Sequence, residues 1–333
     1  MPNSAVPLLR VERGEVEEGL QRGHLAAVDA GGTLVASAGD PSRLTYFRSC
    51  AKPFQAIAAL RTGIVERFGL TTEHVAIICA SHNGEPRHIA VVRDLLAHIE
   101  IDESALQCGA HWPYDESAAS TVRREMAEPL AVFNNCSGKH SGMLAAARVL
   151  QAPLESYLEP SHPVQQRIRQ VVEEFTGCAT TDVVYGIDGC SAPNAAVPLA
   201  AMARSFARLV TSDDAAARTA VEAMTTHPFL VGGTRRFDTA LMEVTNGRLL
   251  AKGGAAGAHC TADRRSGVGL ALKLDDVDGT WVSAAVMAAL TDLGWLAPAE
   301  QRALDRFAHP TLRNHKGLEV GRVRPLLHLT KST

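Results

Sequence analysis

Arg48-Ser49-Cys50-Ala51-Lys52-Pro53-Phe54 runs straight into Gln55–Arg61, a helix-forming segment. Proline suits a helix's first turn, where its missing N–H leaves nothing unpaired, so Pro53 marks a helix start. Ser49 and Lys52 are three residues apart, and one helical turn brings their side chains onto the same face. A serine hydroxyl attacks only when a base takes its proton. A lysine serves as that base when burial or neighbouring positive charge makes its amine neutral. Taken alone, the pair reads better as a solvated helix start.

The surroundings place this pair in an α/β chain. Before it, Leu8–Glu12, His24–Asp29 and Thr33–Ala38 read as strands, the last two joined by Ala30-Gly31-Gly32 as a tight hairpin. After it, apolar runs Val75–Ala80, Leu130–Asn134 and Val183–Ile187 read as buried strands, each followed by an elbow and a helix: Ile89–His98, Ser141–Leu150 and Ala195–Val210. Arg248–Lys252 and Val268–Leu274 read as neighbouring strands, Trp281–Leu293 as an amphipathic helix and Leu318–Leu327 as β again. The expected class is α/β, a mixed sheet with helices. No linker divides residues 1–333, so a single α/β catalytic domain is expected, in two lobes at most.

Composition narrows the function. Lys and Arg total 33 against 36 Asp and Glu, a net charge of −3, and this gives no basic footprint for nucleic acid. No apolar run approaches the ~18 residues of a membrane helix. No basic-then-apolar leader opens the chain, and the seven cysteines are odd in number and scattered. The expectation is a cytoplasmic protein acting on a small molecule, without nucleic acid or membrane as partner.

Two further segments extend the serine–lysine reading. Cys79-Ala80-Ser81-His82-Asn83-Gly84-Glu85-Pro86 follows an apolar run read as a strand, and so brings Ser81 and His82 to a strand's C-terminal edge. Lys252-Gly253-Gly254 ends another strand, with glycines that admit a close backbone or carboxylate. Ser-x-x-Lys, Ser-x-Asn and Lys-x-Gly stand in the order used by serine β-lactamases, which favours acyl transfer.

In Asn134-Asn135-Cys136-Ser137-Gly138-Lys139-His140-Ser141-Gly142, Gly138-Lys139 opens a helix, but Phe133 stands where a phosphate loop needs its first glycine and His140 where it needs a hydroxyl. Cys136 and His140 are candidate metal ligands, with Cys190 of Gly186-Ile187-Asp188-Gly189-Cys190-Ser191-Ala192-Pro193 able to complete the set; thiolate and imidazole suit zinc. Isolated cysteines are more often small buried hydrophobes than ligands, the reading that fits Cys79. A competing signal is Val28-Asp29-Ala30-Gly31-Gly32-Thr33, which looks like the phosphate hairpin of sugar kinases with the actin-like ATPase fold; an ordinary turn is the simpler reading.

These elbows, together with His227-Pro228-Phe229, resemble the asparaginase II family of thermolabile, rhizobial-type enzymes, in order from about Val11 to Val323. The resemblance implies hydrolysis of L-asparagine to L-aspartate and ammonia, on a fold related to glutaminases and serine β-lactamases, in a homodimer. It implies Ser49 as nucleophile with Lys52 as its base, and Ser81 paired with a second lysine, placed at Lys252. It implies zinc on Cys136, Lys139 and Cys190, with Lys139 in place of His140. Arg48, His140 and Asp188 are then left for the substrate. Two departures stand out: Ala256 where an acidic residue is expected, and Asn83 where a small one is. The alternatives are a kinase built on Asp29–Thr33 and a non-catalytic amino-acid-binding protein.

Overall fold

The structure is a computed structural model and describes residues 4–331. Its strands are Val6–Arg13 (β1), Val16–Val28 (β2), Leu34–Ala38 (β3), Leu44–Tyr46 (β4), Val184–Ile187 (β5), Pro193–Pro198 (β6), Leu249–Gly253 (β7), Ala258–Asp263 (β8), Val268–Leu274 (β9), Thr311–Arg313 (β10), Glu319–Pro325 (β11) and Thr330–Lys331 (β12). The chain forms two compact units that interleave in sequence. Among the described residues, one comprises 4–50, 197–211 and 240–331, the other 51–196 and 212–239.

The first unit is built on a sheet ordered β10–β11–β1–β2–β9–β8–β7, with β3 on β2 and β12 on β3. The chain is therefore α/β as expected, and the ladders of this sheet run antiparallel. Strand β8 separates β7 from β9, which the sequence had placed side by side. Ala258–Asp263 is buried along its whole length, so it lacks the alternation that marks a half-exposed strand. The Leu199–Thr211 helix packs on β9 at Gly269, where a Cβ would lie 2.1 Å from the Ala203 carbonyl oxygen.

The second unit is mostly helical, with β5 paired antiparallel to β6. Three sequence readings change here. Val75–Ala80 belongs to a helix, Thr72–Ile78, because Thr71 and His74 form a reciprocal N-terminal cap. Every residue from His74 to Ile78 is buried, so the run shows no helical stripe. Ser81 and His82 therefore follow a helix rather than a strand. Leu130–Asn134 is a 3-10 turn over Ala131–Phe133. Ala195–Val210 splits at Pro198, which ends β6 before the helix begins at Leu199.

The Ser137–Val149 helix crosses Thr72–Ile78 at Gly138, where a Cβ would sit 2.1 Å from the Ile77 carbonyl oxygen. Backbone cannot yield there as a flexible side chain would. Gly138→Ala is expected to destabilise the fold by about 2 kcal/mol net: overpacking of about 3 kcal/mol less about 1 kcal/mol gained in helix propensity. Urea unfolding checks this, and a neutral or stabilising substitution would refute the close crossing.

Candidate active site

Lys52 opens the Lys52–Leu60 helix, and its side chain is 1% exposed. Its Nζ lies 2.9 Å from Ser81 Oγ, 2.6 Å from the Ala80 carbonyl and 3.2 Å from the Asn135 carbonyl. Carbonyls only accept, so two N–H groups go to them; the Ser81 hydroxyl and the Cys136 sulfur, which also hydrogen-bonds the amine, are its remaining partners. Burial drives the Lys52 pKa below the ordinary lysine value; the Lys139 charge adds to this, while the Cys136 and Cys190 thiol groups oppose it.

Ser81 is held from behind. Its backbone N–H donates to the Val231 carbonyl, and that of Asn83 donates to the Gly232 carbonyl. The Asn83 amide is spent on the Thr234 carbonyl and Glu85. His88 stacks on Phe229 at 4.7 Å between ring centroids. The segment His227–Thr234, of which the sequence motif marked only His227-Pro228-Phe229, is thus the clamp of the Ser81 elbow.

The N-terminal turn of Ser137–Val149 brings Cys136 and Lys139 to Cys190. Lys139 Nζ donates to Cys190 Sγ at 2.8 Å, and all three residues are buried. Cys190 hydrogen-bonds to Cys136 and holds its pKa well below the ordinary thiol value against burial, with help from the Lys52 and Lys139 charges. That shared proton, with burial, pushes Cys190 up. Two thiols and an amine meeting without solvent make a nitrogen–sulfur donor set that fits zinc. His140, which the residues alone offered as a ligand, is engaged elsewhere. The Gln107 N–H donates to Tyr157 Oη, which shares a 2.7 Å hydrogen bond with His140 Nδ1. The other ring nitrogen, Nε2, has no hydrogen-bond partner among the described residues. Burial and the nearby lysines keep the ring neutral. Tyr157 was not singled out in the sequence; it lies 17 residues from His140 in an irregular segment without a motif. Asp188 is half-buried in the turn before Cys190, and its Oδ1 accepts the Gly189 N–H at 2.8 Å.

Arg48, Ser49 and Lys252 belong to the first unit. Arg48 has a left-handed φ of 50° at the start of a single 3-10 turn, Arg48–Ala51. Cys50 Sγ lies 3.0 Å from the Lys252 carbonyl oxygen, and Gly254 lets the end of β7 approach the Phe47 carbonyl. The Ser49 turn therefore rests against the strand end that carries Lys252, itself buried with Nζ 2.8 Å from the Gly253 carbonyl.

The L-asparaginase II family profile matches residues 9–325. The chain belongs to that family. Its members are asparaginase-like amidohydrolases, so the chain is read as a hydrolase of that type. No curated protein matches the sequence significantly. Among solved structures, a β-lactamase from Mycobacterium bovis is similar at 18% identity, over 86% of this chain and 95% of that one, with a TM-score of 0.42. A putative β-lactamase from Bacteroides dorei is similar at 11% identity, over 81% and 93%, with a TM-score of 0.43.

Two competing features are resolved by their own hydrogen bonds. Asp29 Oδ1 accepts the backbone N–H groups of Gly32 and Thr33, both at 2.8 Å. The Asp29–Thr33 hairpin is thus a self-capped turn, and nothing supports its reading as a phosphate loop. His74, Asp94 and His98 bring possible ligand atoms within 4.8 Å of one another. His74 Nδ1, however, accepts the Thr71 N–H at 3.1 Å, so Nε2 keeps its proton and donates to Asp94 at 2.8 Å. The group is a helix cap. No helix among the described residues is long and apolar enough to cross a membrane.

Proposed function

We propose that this chain hydrolyses the side-chain amide of L-asparagine to L-aspartate and ammonia through a serine acyl-enzyme. The observation that carries the reading is the buried Lys52 amine, 2.9 Å from Ser81 Oγ, with two carbonyls and the Cys136 sulfur as its other partners. Neutral Lys52 takes the proton of Ser49, whose oxygen bonds to the amide carbon. The Lys52–Ser81 contact then offers the route by which that proton reaches the leaving nitrogen. The carbon–nitrogen bond breaks, ammonia departs, and water cleaves the ester in a second passage through the same groups. Ser81 in this scheme works with Lys52, and the family resemblance implies Lys252 as its second partner. Arg48 and Asp188 are assigned the substrate's carboxylate and ammonium, and His140 Nε2 is assigned a further polar contact with it. Cys136, Lys139 and Cys190 would hold zinc, which when bound neutralises the thiolates and ties the two elbows together. The homodimer implied by the family is part of the proposal.

The deciding experiment is ammonia release from L-asparagine and L-glutamine by wild type and Ser49→Ala. Asparagine turnover that disappears in the variant supports both reaction and nucleophile. Turnover that survives moves the nucleophile to Ser81, and no release from either amide overturns the reading. The rate should also rise with pH. Because the Lys52 pKa is lowered, the working form is the deprotonated one, and kcat/KM should climb about tenfold per unit below a midpoint under the ordinary lysine value. An optimum near pH ~5 would exclude a lysine base.

A further inference from the structure

The second unit contains a cavity of 410 Å³ between the Pro163–Thr176 helix and β5. None of the candidate catalytic residues lines it. Its volume falls in the range of about 300–1,000 Å³ typical of small-molecule sites. One wall carries Arg169, whose guanidinium stacks over the Tyr185 ring 4.6 Å from its centroid. Arg169 has no carboxylate partner among the described residues, and a stacked guanidinium still presents its N–H edge as a fork for a carboxylate. The Tyr185 hydroxyl is buried with no acceptor for its proton among the described residues. A buried hydroxyl in that state is costly unless a ligand completes it. Another wall carries the exposed carboxylate of Glu159. The remaining surface is largely apolar, from Leu158, Ile168 and Ile187.

A cation with a spare O–H beside it, a separate anion and apolar sides together fit a zwitterion with a hydrocarbon body. We infer that this cavity binds a free α-amino acid with an apolar side chain: carboxylate on Arg169 and Tyr185, ammonium on Glu159, side chain against Leu158, Ile168 and Ile187. Aspartate suits it poorly, because a second carboxylate would be buried against apolar walls. The cavity also touches the candidate active site through two short connections. Ser191 follows Cys190 in the chain and lines the cavity with a left-handed φ of 68°. Gln165, another lining residue, holds the Tyr157 carbonyl at 2.8 Å, and Tyr157 holds His140.

The test is titration calorimetry with L-phenylalanine as probe, using the full chain. It reads binding rather than turnover, so it stands whether or not the chain hydrolyses L-asparagine. The expected result is saturable binding at one site per chain, weakened about tenfold or more in Arg169→Gln and, separately, in Glu159→Gln, the size expected for loss of one charge-assisted contact. N-acetyl-L-phenylalanine, which lacks the ammonium, should bind as weakly as L-phenylalanine does to Glu159→Gln. Ser81→Ala and saturating L-aspartate should leave the affinity unchanged. Absence of saturable binding at millimolar probe, unchanged affinity in both cavity variants, or displacement by L-aspartate would overturn the assignment, the last by placing the probe in the candidate active site.

Discussion

Lys52→Met lowers kcat for ammonia release from L-asparagine by about 10³–10⁴-fold, the upper part of the range for removal of a general base, and leaves the chain folded. Methionine matches the lysine stem in length and fills the same buried space, so core packing survives. What is lost is the amine between Ser81 Oγ and the carbonyls of Ala80 and Asn135. Those two carbonyls are then short of a donor, which costs about 1–3 kcal/mol each. Circular dichroism and urea unfolding separate this penalty from the catalytic loss. Lys52→Arg should not rescue turnover, because a guanidinium stays charged at any working pH and cannot accept a proton. The alkaline limb of the rate profile should vanish from whatever activity remains in Lys52→Met. Activity within tenfold of wild type, in a folded variant, would remove Lys52 from the reaction.

The helix start at Pro53, the hairpin at Ala30–Gly32 and the strand ending in Lys252 were legible because each depends on neighbours within a few residues. The contact between Lys52 and Ser81 was not. The two are 29 residues apart, and nothing local shows which lysine packing will deliver; the family resemblance paired Ser81 with Lys252. The Thr72–Ile78 helix was misread for a related reason. A short element buried all round loses the periodicity that separates helix from strand, and the cap formed by Thr71 and His74 was the signal that remained. The metal reading shows the complementary failure. Histidine is the commoner zinc ligand, so residue chemistry alone favoured His140 over Lys139. The structure places Lys139 against Cys190 and gives His140 to Tyr157, an arrangement set by successive positions on one helix turn pointing in different directions.

Cys190→Ser should lower zinc affinity more than about 100-fold, beyond the ~10–100-fold that loss of an outer contact costs. Its sulfur is the atom that Lys139 and Cys136 both approach. Zinc ligands must be deprotonated to bind, and two of these three hold their protons. Cys190 is pushed up by sharing a proton with Cys136 and by burial. Burial alone would lower Lys139, but Cys136 and Cys190 outweigh it and raise its pKa. Zinc uptake should therefore release about two protons, and affinity should climb up to ~100-fold per pH unit through the neutral range. Chelator competition at two pH values, with calorimetry in buffers of different ionisation enthalpy, measures both quantities. An affinity that climbs only about tenfold per pH unit would mean that Lys139 is not a ligand, and a pH-independent affinity would mean that neither Lys139 nor Cys190 gives up its proton on binding. Turnover in Cys190→Ser then separates two roles for the metal. If zinc only ties the elbows, the variant should lose thermal stability in zinc-containing buffer while keeping most of its kcat. If kcat collapses with the fold intact, the charge that zinc neutralises beside Lys52 is part of what keeps that amine neutral, because the Cys136 thiolate left without metal would draw the proton back onto it.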